Sequence, residues 1–235
     1  MTCVVISQPM FLPWVGMLEQ IRLCDVYVHY DDVAFSKGSF VNRVQVKTVT
    51  GISWLTLPVR AELGQPIRDV QLSERTFARK HLLTLRQAYA KAPYLDAMMA
   101  VAEATYAVDS PWLLDWTVAG LDALLSAFAL RPPRVVFSSE LGIPGANSNR
   151  VLDIVMHLSG TTYVTGRGAL DYLDHQKFEQ AGVDVRYVRY ATHPWPQLHG
   201  PFTPFVTALD LLANVGPAGR SCIVSETIPW KELAA

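Results

Sequence analysis

The polar residues able to do chemistry collect in a few short stretches of an otherwise apolar chain. Ser7, Gln8 and Pro9 follow the apolar run Cys3 to Ile6, and Asp31-Asp32 closes a β-rich run that begins at Asp25. A carboxylate at such a place can accept a proton from an attacking amine or hold a divalent cation, while the amide of Gln8 can orient a ligand by hydrogen bonds. Lys37, Asn42 and Arg43 follow in a segment rich in small and apolar residues. Their donors suit a phosphate or carboxylate, and arginine can bind one in bidentate fashion. In the second half, Arg150 falls beside an expected helix start, where a cation opposes the helix dipole unless it serves an anion. Thr165-Gly166-Arg167-Gly168 and the nearby Tyr172 follow an expected strand, so backbone N–H groups are offered there to an anion or carbonyl. The stretch His193 to Gly200 has no apolar period and carries Gln197 and a candidate general base, His193, whose ordinary pKa of about 6.5 suits proton transfer near neutrality.

Each of these has a structural alternative. Trp14 can stack on a base or sugar ring, but an aromatic at a helix start reads better as a packing anchor. Neighbouring residues on a strand point to opposite faces, so only one of Asp31 and Asp32 should reach a shared pocket. Lys47 reads as a solvated hairpin residue, and Asp210 and Asn214, one helical turn apart, as braces behind the site. No Ser-His-Asp order, reactive-cysteine context, metal-ligand cluster or phosphate-binding glycine loop is visible, which disfavours covalent and metal-hydrolytic mechanisms.

The elements that must position these groups read as follows. Residues 3–7 form a strand, 14–23 a helix and 25–30 a second strand, a unit that places polar groups at the carboxyl edge of a parallel sheet. Residues 40–59 alternate like a β-hairpin, with a further short strand at 67–72. Three helices are expected over about 76–130, the last capped by Ser110 before Pro111. Beyond Arg131-Pro132-Pro133, strands at 134–138, 161–165 and 183–190 alternate with helices at 149–158 and 169–181, and a last helix covers 203–214 before a tail. The expectation is one α/β domain over 1–235, Rossmann-like in three layers, with a β-hairpin and a helical insertion.

Composition narrows the function classes. Half the residues are hydrophobic, 17% are charged and the formal net charge is −1, so there is no basic field to attract nucleic acid or an anionic membrane. The three cysteines are widely spaced in apolar surroundings and fit neither a disulfide framework nor a zinc motif. No leader pattern and no apolar run of about 20 residues is present, which predicts a cytoplasmic protein.

Several of these stretches together resemble the WbqC-like family of bacterial proteins. The likeness rests on Gln8-Pro9-x-Phe11-Leu12-Pro13-Trp14-x-Gly16, Asp31-Asp32 with Phe35-Ser36-Lys37 and Asn42-Arg43, Trp54 to Val59, and the late segments Tyr163 to Gly166, Tyr172-Leu173 and Gln197 to Gly216. It implies an association with surface polysaccharide such as O-antigen, and a glycine-transferase role suggested for some members. The first strand-turn-helix also looks like the start of the nucleotidyltransferase and class I synthetase superfamily (a HUP-like architecture). Here Pro13-Trp14-Val15-Gly16 stands where that superfamily has His-x-Gly-His, so its phosphate chemistry does not carry over.

The expected function is transfer of an acyl or aminoacyl, glycyl-type group onto an amine of a nucleotide-linked amino sugar or similar small metabolite. Asp31, Asp32 or His193 would handle the proton, and Gln8, Pro9, Trp14, Lys37, Asn42, Arg43, Arg150, Gly166, Tyr172 and Gln197 would bind substrate, with no metal. ATP or a nucleotide-linked substrate, and an aminoacyl donor including aminoacyl-tRNA, are the small-molecule and nucleic-acid partners this allows. The competing readings are an ATP-dependent amide ligase or nucleotidyltransferase, and a non-catalytic binder of sugar nucleotide or of a partner.

Overall fold

A computed structural model describes residues 1–191 and 193–233. Its centre is a six-stranded sheet built from β1 (Cys3–Ser7), β2 (Val26–His29), β7 (Arg134–Phe137), β8 (Thr162–Thr165), β9 (Asp184–Arg189) and β10 (Glu226–Pro229). The spatial order is β10-β9-β8-β1-β2-β7, with every pairing parallel except β10 against β9. The hairpin is β3 (Arg43–Thr48) with β4 (Gly51–Thr56), and a small ribbon pairs β5 (Val59–Arg60) with β6 (Gln71–Leu72).

Both faces of the sheet are covered, as the apolar run of β1 requires. Val5 and Tyr27 face one core with α1 (Val15–Arg22) and the insertion helices α2 (Phe77–Ala88), α3 (Leu95–Tyr106) and α4 (Leu113–Ala127). Val4, Ile6 and Val28 face the other, with α5 (Asn147–His157) and α6 (His175–Gln180). This is the three-layer, Rossmann-like α/β arrangement. From β1 the chain crosses through α1 to β2 on one side, whereas β8 lies on its other side and leads outward to β9. The crossover direction therefore reverses at β1, and a crevice opens at the carboxyl ends of β1 and β8.

Four local expectations give way to specific hydrogen bonds. The helix expected at 169–181 is a 3-10 turn at Arg167–Ala169 and a short α6. Between them, Ser148 Oγ donates to Tyr172 O (2.9 Å) and accepts from Asp174 N (2.7 Å), engaging backbone groups that a continuous helix would use. The last helix, α7 (Leu209–Val215), starts six residues late, because Thr207 N bonds Gln45 O (2.9 Å) and Ala208 N bonds Pro13 O (2.8 Å). In the insertion, α4 begins past Pro111, and Ser110 Oγ instead accepts the N–H of Trp112 (3.1 Å) ahead of it. The expected tail contains the edge strand β10 and a final turn, α8 (Trp230–Leu233).

Lys47 overturns its reading as a solvated residue. It is 4% exposed, and its ammonium donates to Gln197 Oε1 (3.0 Å), Gly200 O (3.1 Å) and Pro201 O (2.5 Å). Gln197 completes the joint by accepting from Thr203 N (3.0 Å) and donating to Thr203 O (2.9 Å). One buried ammonium thus ties the hairpin to the loop before α7. The first turn of α1 is equally constrained: a Cβ on Gly16 would lie 2.3 Å from the Trp14 ring, which folds back over it.

Lys47→Ala should lower unfolding free energy by about 2–3 kcal/mol, because it strands buried acceptors, and Lys47→Met should recover only the packing part. Urea titration monitored by tryptophan fluorescence measures both.

Candidate active site

The crevice at the switch point is a cavity of about 800 Å³. Ser7 and Gln8 reach it from the end of β1, Tyr30 and Asp32 from beyond β2, Thr165 and Gly166 from the end of β8, and Asn147 and Arg150 from the first turn of α5. Each is there because it lies at a strand's carboxyl end or at the helix start facing it. The helix start is open: Ala146 is extended, and no side chain caps the first N–H groups of α5.

At its centre is a half-shielded ion pair. Arg150 Nη2 lies 2.5 Å from Asp32 Oδ2, with side chains 8% and 15% exposed. Arg150 Nε also donates to Ile143 O (2.9 Å), and its guanidinium lies 5.1 Å from the centroid of the Tyr30 ring. Burial pushes the Asp32 carboxyl upward, but hydrogen bonds from Arg150 and Ser138 outweigh it and hold the group below the usual carboxylate value. Arg150 is correspondingly raised, first by its hydrogen bond to Asp32. The anion that a cation at this helix start calls for is the protein's own carboxylate.

Asp31 takes a different role from its neighbour. Only 1% exposed, it accepts from Ser139 N (3.0 Å) and Ser139 Oγ (2.7 Å), and its own N–H donates to Ser138 Oγ (3.2 Å). Ser138 Oγ lies 2.6 Å from Asp32 Oδ1 and 3.0 Å from Asp31 Oδ1, within reach of both with one proton. Asp31 therefore braces the turn after β7, and of the two carboxylates Asp32 lines the cavity.

Gly166 forms part of the floor. A Cβ there would come 3.1 Å from Gln20 Nε2 and 3.2 Å from Tyr190 Oη, two groups that hydrogen-bond each other at 2.6 Å. Tyr172 lines the mouth and is half exposed, its hydroxyl raised by burial and by Tyr30.

The remaining expected residues lie elsewhere. Pro9 is buried and is not among the lining residues. Trp14 packs on Tyr190 and Phe205, with ring centroids 5.1 and 6.1 Å away, as an anchor over Gly16. His193 lines a separate crevice of about 10 Å³ with Trp14 and the buried Glu19, so a base role for it in the cavity lacks the geometry. Gln197 is committed to Lys47 and Thr203, and Asn42 donates to Leu57 O (3.0 Å) at the foot of the hairpin. Lys37 faces a wide groove on the far side of segment 32–37, and Arg43 stacks on Trp54. Asp210 braces a buried cluster, accepting from Trp195 Nε1 (2.7 Å) and Tyr89 Oη (3.0 Å).

Sequence reasoning missed Tyr30, Gln20 and Asn147 as lining residues. Tyr30 was legible as the last residue before the carboxylate pair. Gln20 had a weaker signal: a polar side chain one turn after Gly16 on an apolar helix face.

With this geometry in view, the comparisons are specific about kinship. The sequence profile of the WbqC-like protein family matches residues 8–222. The chain belongs to the WbqC-like family. A Mycobacterium tuberculosis relative, named uncharacterized protein Rv1507c, is 27% identical over 216 residues, covering 91% of this chain and 94% of its own. No solved structure matches the chain. The matched span includes the cavity's lining from Gln8 to Tyr172, so the sheet-edge site lies within the family's shared region. Among the described residues no helix is long and apolar enough to cross a membrane, and no group of His, Cys, Asp and Glu is arranged to hold a metal.

The ion pair gives a pH signature. A folded-state pKa below the unfolded value of 3.8 means that Asp32 stabilises the fold above that value and loses its contribution as pH falls through the folded pKa. The stability gap between wild type and Asp32→Asn should stay constant from about pH 8 to 5 and close in acid below about 4. Urea midpoints across that range measure it, and a gap that widens in acid would contradict the pairing.

Proposed function

We propose that the cavity binds the sugar portion of a nucleotide-linked amino sugar, or a similar small polar metabolite, and that this WbqC-like protein transfers an acyl or aminoacyl group to its amine. The observation that carries this reading is the charge balance of the site. The ionised lining groups, Asp32 and Arg150, neutralise each other, and the rest of the wall combines amide, hydroxyl and phenol groups with apolar side chains such as Ile6, Met10, Val33 and Val151. Such a wall favours an uncharged, hydroxyl-rich ring over a bare phosphate. Tyr30 and Tyr172 add flat surfaces suited to the C–H faces of a sugar.

Asp32 is then the group that meets the amine. Held ionised, its free lone pairs accept the amine N–H bonds and favour the positive charge that grows on nitrogen as it attacks the acyl carbon. The new C–N bond forms, the carbon's bond to its carrier breaks, and the nitrogen's proton leaves with the departing group or to water. A carboxyl held low is a weak final proton acceptor, so Asp32 acts here by charge and orientation. Arg150 fixes the carboxylate's direction and Gln8 the ring's.

One observation favours a second reading. No histidine, lysine or cysteine is among the lining residues, so the wall supplies no side chain that ordinarily titrates near neutrality. A protein that holds a sugar nucleotide for a partner enzyme needs none. The ATP-dependent reading has less support, since the positions of the two superfamily histidines hold Pro13 and Gly16.

Sugar nucleotides carrying an amine should raise the melting temperature by several degrees, and mass spectrometry of the ligands that bind, mixed with acyl and aminoacyl donors, should show the amide product. Asp32→Asn should cut turnover about 100-fold while changing ligand Kd less than tenfold. Binding without product in any pairing selects the second reading, and an unshifted melting temperature across the panel rejects both.

A further inference from the structure

Outside the cavity, Arg43 is built like an anion receptor without its anion. Its Cζ lies 4.2 Å from the centroid of the Trp54 ring. A Cβ on Gly38 would meet Cζ, Nη1 and Nη2 at the near-equal distances of 3.6, 3.7 and 3.7 Å, which puts Gly38 over the guanidinium plane. The Trp54 ring and Gly38 thus pack against the group, and the edge carrying Nη1 and Nη2 is left for in-plane hydrogen bonds. Among the described residues that edge makes no hydrogen bond and no ion pair, and Nε is buried without a partner. A buried guanidinium nitrogen is normally hydrogen-bonded. Leaving a charged donor buried and unsatisfied carries a cost of about 1–3 kcal/mol or more.

The surroundings say what would complete it. The turn Ser36-Lys37-Gly38-Ser39 passes the guanidinium at Gly38, which has φ 75°, while the Lys37 side chain lines the separate groove. No acidic residue stands between Asp32 and Arg43 in this turn. Beside it, Phe40 and Trp54 keep 43% and 38% of their surface exposed, with ring centroids 5.9 Å apart. A planar guanidinium fork suits the oxygens of a phosphoryl group, and the aromatic pair offers a face to a ring attached to it.

From this geometry we infer that Arg43, beside the turn 36–39, binds the phosphoryl group of a ring-bearing phosphate ester, such as a nucleotide or sugar phosphate, at a site separate from the sheet-edge cavity. The inference stands on Arg43 alone and does not need the transferase reading. It also gives the adjacent Phe40 and Trp54, exposed side chains on and before the hairpin, a role in holding the ligand's ring.

Titration calorimetry with pyrophosphate and with uridine diphosphate tests it. Wild type should bind both, uridine diphosphate more tightly. Arg43→Met should weaken binding at least tenfold and leave the melting temperature of the free protein unchanged or higher, since it removes an unsatisfied buried donor; a purely structural arginine would lower it. Arg43→Lys, which keeps charge and stem but not the fork, should also weaken binding at least fivefold, and it carries the test if Arg43→Met does not fold. Asp32→Asn should leave pyrophosphate affinity within twofold. The inference fails if wild type binds neither probe at millimolar concentration, if the Arg43 variants bind like wild type, or if Asp32→Asn alone abolishes binding, which would put the phosphate in the cavity.

Discussion

A shared serine hydroxyl and two adjacent carboxylates hold the functional edge of this fold together. Parallel strands present their carboxyl ends in a row, but the loops that leave them diverge, and nothing in the ladder fixes where those loops point. Here Asp31 and Asp32, leaving β2, are fastened to Ser138 and Ser139, leaving β7, and through Arg150 to the start of α5. Three segments distant in sequence thereby meet in one polar knot. Burying such a knot is favourable only when each group finds a partner, and both Asp31 oxygens and the Asp32 oxygens do. The charged members of the cavity wall are thus already satisfied within the fold.

That constraint decides how much of the molecule could be read from residues alone. The parallel sheet, the hairpin and the insertion were legible because apolar runs and periodicity report burial directly. The sheet edge was legible too, since strand ends are where alternation stops, and Gln8, Asp32, Arg150, Gly166 and Tyr172 were placed by that logic. What could not be read was pairing across long separations. A cation at a helix start signals an anion, but only the fold shows that the anion is Asp32, 118 residues earlier. Likewise nothing local distinguishes Lys47, buried among carbonyls, from a solvated hairpin lysine. His193 and Gln197 stand out as polar groups in an irregular loop; Gln197 is occupied within the fold by Lys47 and Thr203, whereas His193 is exposed beside a separate crevice.

The family match and the geometry meet at the same place without saying the same thing. Kinship runs through both halves of the chain, including the segments that build the knot and the segment around Arg43. The first is a closed network facing a cavity, the second an open arginine facing solvent. A fold that balances charge inside its pocket and leaves it unbalanced on a neighbouring turn separates two tasks, shape recognition and charge recognition, across a few residues of one connection.

The Lys47 joint has a further consequence, for the order in which the chain can settle. Its three acceptors lie 150, 153 and 154 residues downstream, and β1 waits for β8 over a similar span. While the polypeptide is being synthesised, the hairpin can form early, but its ammonium must stay hydrated until the segment around Gln197 emerges. The N-terminal half is thus kept provisional, with an apolar strand lacking one neighbour and a lysine lacking its cage, until those segments are made. β8 can close its side of the first strand before the segment around Gln197 docks on the hairpin, so that a nascent chain interrupted ahead of β8 holds neither in its final form.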